Sequence, residues 1–333
     1  KKTKFCKAAA LLGAAVMMIS ALAGCGKNTK VVLTAGLKKN EVFRISSASC
    51  VLPEVMVYLT NMQNQYESVY GSQIWNASDG QLSLEQEERE QVLTQLARIK
   101  VMNLLAQKKE VTLDDKEKER AAAAGREYFT SLNSAEVTAL NVTQDLITKM
   151  YEEYALAEKV YQTIVENVNP EVSDDEARTI TVDMIRVSDS AKASQVLGKA
   201  KEEGVDFEAL AQAESEDQTV TQSFGKGEVS EALEKAAFNL GKDEISDVVE
   251  SDGSYYILKC ISTFDEAQTK ANKEKIVKQR QSEAFDTEYT AFEQTLVRQL
   301  NEELWDSVTM IHQDDVKTSS FFEVYQMYFQ HQE

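Results

Sequence analysis

The sequence is poor in the residues that most often break regular structure or carry chemistry. It has 2 prolines and 13 glycines among 333 residues, which excludes collagen-like and proline-rich chains. Its two histidines, His312 and His331, both lie near the C-terminus, and its four cysteines have no Cys-x-x-Cys or Cys/His spacing. No Ser/His/Asp arrangement is visible. We therefore expect no metal site, no cofactor and no hydrolase activity.

Positive charge is also scarce. The chain has 36 Lys and Arg against 55 Asp and Glu, which gives a formal net charge of −19. Binding to a phosphate backbone requires a basic surface, so we expect no nucleic-acid partner. Hydrophobic residues make up 43% of the chain, which fits a globular protein with a substantial core. The length corresponds to two domains or one large one.

Residues 1–24 differ from the rest of the chain. They contain four lysines and no acidic residue, so the net charge of the remaining chain is −23. An apolar run from Ala8 to Leu22 follows the lysines, and it is short for a hydrocarbon core of about 30 Å. This composition is typical of a secretory signal.

The apolar run ends in Leu22-Ala23-Gly24-Cys25, which resembles the bacterial lipobox. The resemblance implies cleavage before Cys25 and lipidation of its thiol, with residues 25–40 as a tether. The protein would then be extracytoplasmic and anchored to the bacterial cell membrane, since two acyl chains give stable anchoring. The alternative is an ordinary signal peptide with an incidental cysteine. Cys50 and Cys260 remain, and either one disulfide or two buried thiols fits them.

Residues 41–169 predict a short β segment followed by helices. Glu41 to Ile45 alternates apolar and polar residues, and Pro53 suits a first helical turn. Ser83 and Gln86 have the spacing of a capping box, and a later helix is expected to start at Ser134 or at Thr143. Apolar and aromatic residues then recur at a spacing of three to four, which predicts amphipathic helices.

The pattern changes after Asn169-Pro170. Thr179 to Val187 is β-branched and alternating, which predicts a strand. Two helices should follow, and we expect residues 214–228 to form a loop. A further helix should end at Gly241, and Asp252-Gly253 predicts a hairpin turn between two strands. Residues 170–264 are thus expected to form a compact α+β module.

Residues 265–333 predict helix again as far as about Leu304, followed by an aromatic-rich tail with a short strand and a helix. Each helical segment needs the other to bury its apolar stripe. The expected fold class is α+β, with the module inserted into a mainly helical domain built from residues 41–169 and 265–333.

The module resembles the parvulin type of peptidyl-prolyl isomerase. The stretches that carry the resemblance are Gly204-Val205-Asp206-Phe207-Glu208-Ala209-Leu210-Ala211, Ser215-Glu216-Asp217, Phe224-Gly225-Lys226-Gly227-Glu228 and the segment from Glu234 to Ser246. With the lipobox and the flanking helices, the whole chain resembles PrsA/SurA-type extracytoplasmic foldases. In that family a parvulin module sits within a helical chaperone domain built from both chain ends.

The resemblance also implies a set of site residues, most of which have changed chemical type. The family's two pocket histidines fall on Met184 and Tyr256, and its Cys or Asp position falls on Asp217. Its Met–Phe proline shelf falls on Val229 and Leu233. The implied catalytic residues are Asp217 and Tyr256, and the implied substrate-binding residues are Met184, Val229, Leu233 and Phe238.

Three functions are compatible with these features. The first is a lipid-anchored foldase or chaperone, as a monomer or a homodimer, which binds unfolded or secreted polypeptides and has a degenerate isomerase pocket. The second is a competent peptidyl-prolyl isomerase with a non-standard pocket, in which a phenol replaces an imidazole as hydrogen-bonding group. A ligand-binding lipoprotein is a weaker alternative, because such receptors usually have two α/β lobes.

Overall fold

A computed structural model describes residues 36–77 and 83–330 of the chain. The signal segment, the lipobox and Cys25 lie outside the described residues. The chain divides into two compact units: a first unit that contains the residues up to Asn167 and from Ser282 onward, and a second unit, Val168–Gln281. The fold class predicted from the sequence, a mainly helical domain with an inserted α+β module, is confirmed.

The elements are numbered in chain order. The first part of the chain forms β1 (Glu41–Ile45), β2 (Ala48–Val51), α1 (Leu52–Tyr70), a 3-10 turn (Ser72–Asn76), α2 (Leu84–Lys108), α3 (Asp115–Ser131), α4 (Ser134–Leu140) and α5 (Gln144–Val165). The second unit forms α6 (Asp174–Ala177), β3 (Thr179–Val187), α7 (Ser190–Ala200), α8 (Phe207–Glu214), β4 (Thr221–Gly225), α9 (Glu231–Phe238), β5 (Val249–Ser251), β6 (Ser254–Ser262) and the first part of α10 (Glu266–Glu293). The last elements are β7 (Arg298–Leu300), α11 (Glu302–Asp306) and α12 (Phe321–Phe329).

The capping residues identified in the sequence lie at the starts of the N-terminal helices. Ser83 Oγ accepts a hydrogen bond from the Gln86 backbone N–H at 3.2 Å, and the Gln86 side chain accepts one from the Ser83 backbone N–H at 3.0 Å, as the capping box predicts. The two alternative helix starts, Ser134 and Thr143, are both used. α4 ends at Leu140 with Asn141 as its C-cap, whose φ of 51° is left-handed, and α5 begins after Thr143.

The prediction of a continuous helix as far as about Leu304 is wrong. α10 ends at Glu293, and Arg298–Leu300 forms the strand β7, which pairs antiparallel with β1. The small sheet of the first unit therefore has the order β2-β1-β7 and joins both ends of the chain. The strand forms there because the free edge of β1 offers backbone hydrogen-bonding groups that need partners.

The C-terminal helix α12 closes the core of the first unit through Phe321. This side chain is fully buried, and its ring stacks on Tyr151 with centroids 4.4 Å apart. The rings of Tyr128 and Tyr58 contact it at centroid distances of 5.2 and 5.3 Å. The expectation that the tail helix docks on the N-terminal helices is confirmed.

Two buried polar side chains accept hydrogen bonds from the backbone at the start of α12 and just before it. Asn61 Oδ1 accepts a hydrogen bond from the Phe321 backbone N–H at 2.9 Å. The Glu136 carboxylate, 2% exposed, accepts the backbone N–H groups of Lys317 and Thr318 at 2.8 and 2.7 Å. Asn61 thereby satisfies a buried backbone donor, and Glu136 holds the segment that precedes α12.

The second unit contains an antiparallel sheet in the order β4-β3-β6-β5. The prediction of a loop over residues 214–228 is wrong for part of that range, since Thr221–Gly225 forms β4 and pairs with the first half of β3. A Cβ atom at Gly225 would lie 2.5 Å from Asn272 Nδ2, so a larger residue here would displace the Asn272 side chain. Helix α9 ends at Phe238 with Asn239 as its C-cap, two residues before the predicted Gly241.

The predicted hairpin is confirmed. Asp252 and Gly253, with φ values of 51° and 74°, join β5 to β6. The sheet has a separate apolar cluster on each face: Ile185, Val187 and Ile257 pack with α7 and α8, whereas Val182, Met184 and Leu258 pack with α9. The second face contains the positions implied by the family resemblance.

The two cysteines of the described residues are both free thiols. Cys50 lies in the first unit and Cys260 in the second, and both side chains are buried. Burial raises the pKa of each thiol. Within residues 36–77 and 83–330, no helix has the length and apolarity needed to cross a membrane.

We expect Phe321→Ala to destabilise the first unit by about 3–5 kcal/mol, because it removes a fully buried aromatic ring from a closed core. Trp75 and Trp305, the only tryptophans in the sequence, both belong to the first unit, so tryptophan fluorescence in urea follows its unfolding. Met327→Ala, on the same helix but 56% exposed, serves as the control and should cost less than about 0.5 kcal/mol. Equal effects of the two substitutions would show that α12 does not close the core.

Candidate functional site

The candidate site lies on the α9 face of the second sheet. Side chains alternate along β3, so Val182, Met184 and Arg186 lie on one face and Ile185 on the other. In the antiparallel register Met184 pairs with Leu258 and Arg186 with Tyr256. The two positions of the family's histidines, Met184 and Tyr256, are therefore on the same face of neighbouring strands.

Helix α9 and the residue before its N-cap contribute the other apolar positions. Ser230 caps the helix, and its Oγ accepts the Leu233 backbone N–H at 3.4 Å. Leu233 is buried on the sheet, and Val229 packs at the margin of the same cluster with Tyr256. The structure thus brings together four of the implied residues, namely Met184, Val229, Leu233 and Tyr256.

The floor of this face is already filled. Met184 and Leu233 are each only 8% exposed, whereas Val229 and Tyr256 are half-buried. A ligand can therefore contact mainly the two marginal side chains, and the face is better suited to a shallow apolar contact than to deep enclosure of a proline ring.

Phe238 lies at the other end of the same face. The ring centroids of Phe238 and Phe224 are 6.3 Å apart, and the guanidinium of Arg178 lies 4.8 Å from the centroid of the Phe238 ring. Phe224 itself pairs with Ile180 near the start of β3. Six residues of strand separate Ile180 from Arg186, a distance of about 20 Å. Phe238 therefore packs near the start of β3, whereas Tyr256 lies beside its end.

Asp217 is paired with an arginine. Its Oδ1 accepts a hydrogen bond from Arg186 Nε at 2.7 Å, and the Asp217 side chain is 34% exposed. Arg186 Nη1 lies 3.4 Å from Ser254 Oγ and 4.0 Å from Glu216 Oε2. The hydrogen bond and the charge of Asp217 raise the pKa of Arg186, so the guanidinium is cationic at any physiological pH.

Arg186 is a site residue that the sequence reasoning missed. The signal was present in the alternation of Val182-Asp183-Met184-Ile185-Arg186-Val187, because a residue two positions after Met184 must lie on the same face of the strand. The family resemblance implied only the positions of the family's pocket, and Arg186 is not one of them.

Small hydroxyl groups complete the polar margin near the start of α9. Ser251 Oγ lies 2.7 Å from Ser230 Oγ and 2.9 Å from Asp252 Oδ2. The face as a whole combines an apolar floor with a phenol, a guanidinium and hydroxyls at its margin. In the described part of the chain, no three His, Cys, Asp or Glu side chains are grouped so that they could hold a metal ion.

The sequence comparisons match a stretch of chain that contains most of the second unit. Residues 151–275 match the PPIC-type PPIase domain family. Two Streptococcus pneumoniae strains, Hungary19A-6 and CGSP14, each have a protein named foldase protein PrsA that is 31% identical to this chain over 165 residues. Each alignment covers 44% of this chain and 53% of the relative, so the chain spans about half the length of the curated relatives it matches.

Solved structures of similar proteins were also found. A peptidylprolyl isomerase (PrsA) from Bacillus cereus is 19% identical, with a TM-score of 0.39 over 73% of this chain and 91% of that chain. A structure of SurA-like chaperones from Campylobacter jejuni is 10% identical, with a TM-score of 0.31 over 79% of this chain and 99% of that chain.

We expect Leu233→Ala to destabilise the second unit by about 2–4 kcal/mol, because a buried leucine on the sheet leaves a cavity. Val229→Ala, at the half-buried margin, should cost less than about 1 kcal/mol. Hydrogen exchange of the β3 amides measures both effects within this unit. Similar exchange rates in the two variants would contradict the assignment of Leu233 to the packed floor.

Proposed function

We propose that this chain, which carries a parvulin-type module and is similar to PrsA foldases, is an extracytoplasmic foldase or chaperone with a degenerate isomerase pocket. The observation that carries the proposal is the single apolar face that Met184, Val229, Leu233 and Tyr256 form within the span matching the PPIC-type domain. Such a face can bind apolar segments of unfolded polypeptides although both family histidines are replaced. Its substrates are unfolded or secreted polypeptide chains.

The helical unit offers a second surface for such clients. A narrow crevice between α2, α5 and the end of α10, with a volume of about 60 Å³, is lined by apolar and aromatic side chains that include Met102, Tyr154, Tyr161 and Phe285. The ring of Tyr161 lies 5.1 Å from that of Phe285 and is half-buried. Met102, Tyr154 and Phe285 are at most 8% exposed, so a client would contact mainly Tyr161 at the rim of the crevice.

The proposal also includes the location of the protein. The basic and apolar leader and the Leu22-Ala23-Gly24-Cys25 box support export followed by lipidation of Cys25. A lipid anchor would hold the foldase at the outer face of the membrane, where secreted chains emerge unfolded. Analytical ultracentrifugation distinguishes the two alternatives for its assembly, a monomer and a homodimer.

The chaperone role predicts suppression of client aggregation. The chain from Gly26 onward should lower the light scattering of heated citrate synthase at a few-fold molar excess, because exposed apolar segments of the client bind to its apolar surfaces. Tyr161→Ala should weaken this effect several-fold. Val69→Ala, which removes a 52% exposed side chain of the same unit, is the matched control and should leave it unchanged.

Unchanged scattering in the presence of excess wild-type chain would refute the chaperone role. Equal suppression by the wild type and Tyr161→Ala would refute the assignment of the crevice alone, because the parvulin-type face would then account for the binding.

The second candidate function is a competent isomerase, favoured by the polar donors at the margin of the apolar face. Rotation about an X–Pro bond has a barrier of about 18–20 kcal/mol and breaks no bond, so hydrogen bonds that favour the twisted amide are sufficient for catalysis. Tyr256 and Asp217 are the candidate catalytic residues in this mechanism.

If this second function holds, the chain accelerates the refolding of a test protein limited by prolyl isomerisation. Tyr256→Phe and Asp217→Ala should then lower the rate at least about tenfold while circular dichroism shows an unchanged fold, a loss typical of a removed donor or acid–base group. Equal rates in wild type and both variants would remove these residues from any catalytic role. The absence of acceleration by wild type would leave the binding role as the only function of the module.

A further inference from the structure

We propose that Arg186 is the group of the parvulin-type face that hydrogen-bonds a bound client, through the carbonyl oxygen of an X–Pro bond in an apolar segment, and that Asp217 is its positioning residue. The inference rests on the proposed function, since it specifies how the same face binds a peptide. It assigns a role to a residue that matches no pocket position of the resemblance.

The position of Arg186 is the first argument. It lies two residues after Met184 on β3 and directly opposite Tyr256 on β6, so it shares the face with the apolar floor. Its side chain is 29% exposed, which leaves the guanidinium accessible at the margin of that face. A client segment that packs on Val229 and Tyr256 therefore passes close to the guanidinium.

The hydrogen bonds of Arg186 are the second argument. Asp217 Oδ1 holds Nε at 2.7 Å, and Ser254 Oγ lies 3.4 Å from Nη1. These two contacts use two of the five N–H donors of the guanidinium, so further donors remain for a ligand. A planar guanidinium fixed at Nε projects its outer donors in a defined direction, so the side chain loses less rotamer entropy when it binds.

The charges around Arg186 select the class of acceptor. One carboxylate, Asp217, already pairs with the guanidinium, and a second, Glu216, lies 4.0 Å from Nη1. A third negative charge at this point would be repelled, which disfavours an acidic side chain or a phosphate. A neutral carbonyl oxygen meets no such repulsion and still accepts a charge-assisted hydrogen bond. The ligand class is therefore an apolar, extended polypeptide segment.

This hydrogen bond contributes to binding and not to rate. When an X–Pro bond twists, the carbonyl oxygen loses amide conjugation and becomes a poorer acceptor. A donor to that oxygen is then no stronger in the transition state than in the ground state, and such a contact does not accelerate the reaction. Arg186 is thus a specificity residue of the face.

The test compares two blocked peptides of the sequence Ala-Leu-Pro-Phe by calorimetry with the chain from Gly26 onward. One peptide is unmodified, and in the other a carbon–carbon double bond replaces the Leu–Pro amide, which preserves the shape and removes the carbonyl acceptor. The protein variants are Arg186→Leu, Arg186→Lys, Asp217→Asn and Arg280→Leu. Arg280 is the matched control, because it is 31% exposed and ion-paired to Glu176 within the same unit.

Wild type and Arg280→Leu should bind the amide peptide about tenfold more tightly than the alkene analogue, as expected for one charge-assisted hydrogen bond. Arg186→Leu should bind both peptides equally and weakly, and Arg186→Lys should recover part of the preference. Asp217→Asn should reduce the preference without abolishing it. A purely structural role for Arg186 would weaken both peptides in parallel and keep their ratio.

Retention of the tenfold ratio in Arg186→Leu would overturn the inference, as would equal binding of the two peptides to the wild type. If Arg186→Leu fails to fold, the ratio of the two peptide affinities is measured in Arg186→Lys and Asp217→Asn instead. An unchanged tenfold ratio in both variants would then overturn the inference. If the wild type binds neither peptide, the peptide-binding role of the face fails, and this outcome is distinct from loss of the hydrogen bond alone.

Discussion

The first unit depends on one residue near the C-terminus. The ring of Phe321 fills the space among Tyr58, Tyr128 and Tyr151, and its backbone N–H donates to Asn61, which lies 260 residues earlier in the chain. A buried N–H without an acceptor costs about 1–3 kcal/mol, so the aromatic contacts and the hydrogen bond must form together. The core of the helical unit is therefore complete only when both ends of the chain are present.

This dependence explains how a whole module can be inserted between the two parts of the helical unit. The entropic cost of closing a loop increases by only about 0.6 kcal/mol for each doubling of its length. Burial of one large apolar side chain contributes about 1.5–3 kcal/mol, which exceeds that increment. The second unit has its own apolar clusters on both faces of its sheet, so its stability does not have to come from the helical core.

The parts of the fold that local signals determine were predictable from the sequence. The Ser83 capping box, the alternation of β3 and the Asp252-Gly253 turn each reflect hydrogen bonds or dihedral angles within a few residues. β4 and β7 were not predictable in this way. Thr221-Gln222-Ser223 of β4 is polar and β7 has only three residues, so neither strand has a recognisable alternating pattern. β4 forms because it pairs with the edge of β3, and β7 forms because it pairs with the edge of β1. Such pairing depends on tertiary context, which a single-sequence pattern does not contain.

In the candidate site, too, some features could be predicted from the sequence and others depend on tertiary contacts. The family resemblance implied that Met184 and Tyr256 share a pocket, and the register of β3 and β6 puts them on one face. The partner of Asp217 required the structure, since Asp217 lies 31 residues from Arg186 in sequence. An arginine on an apolar face is stable only if its charge is compensated. Asp217 provides this compensation, because its Oδ1 accepts the hydrogen bond from Arg186 Nε. Because Asp217 Oδ1 is engaged by Arg186, the 2.7 Å hydrogen bond favours a positioning role for Asp217 over direct contact with a twisting amide.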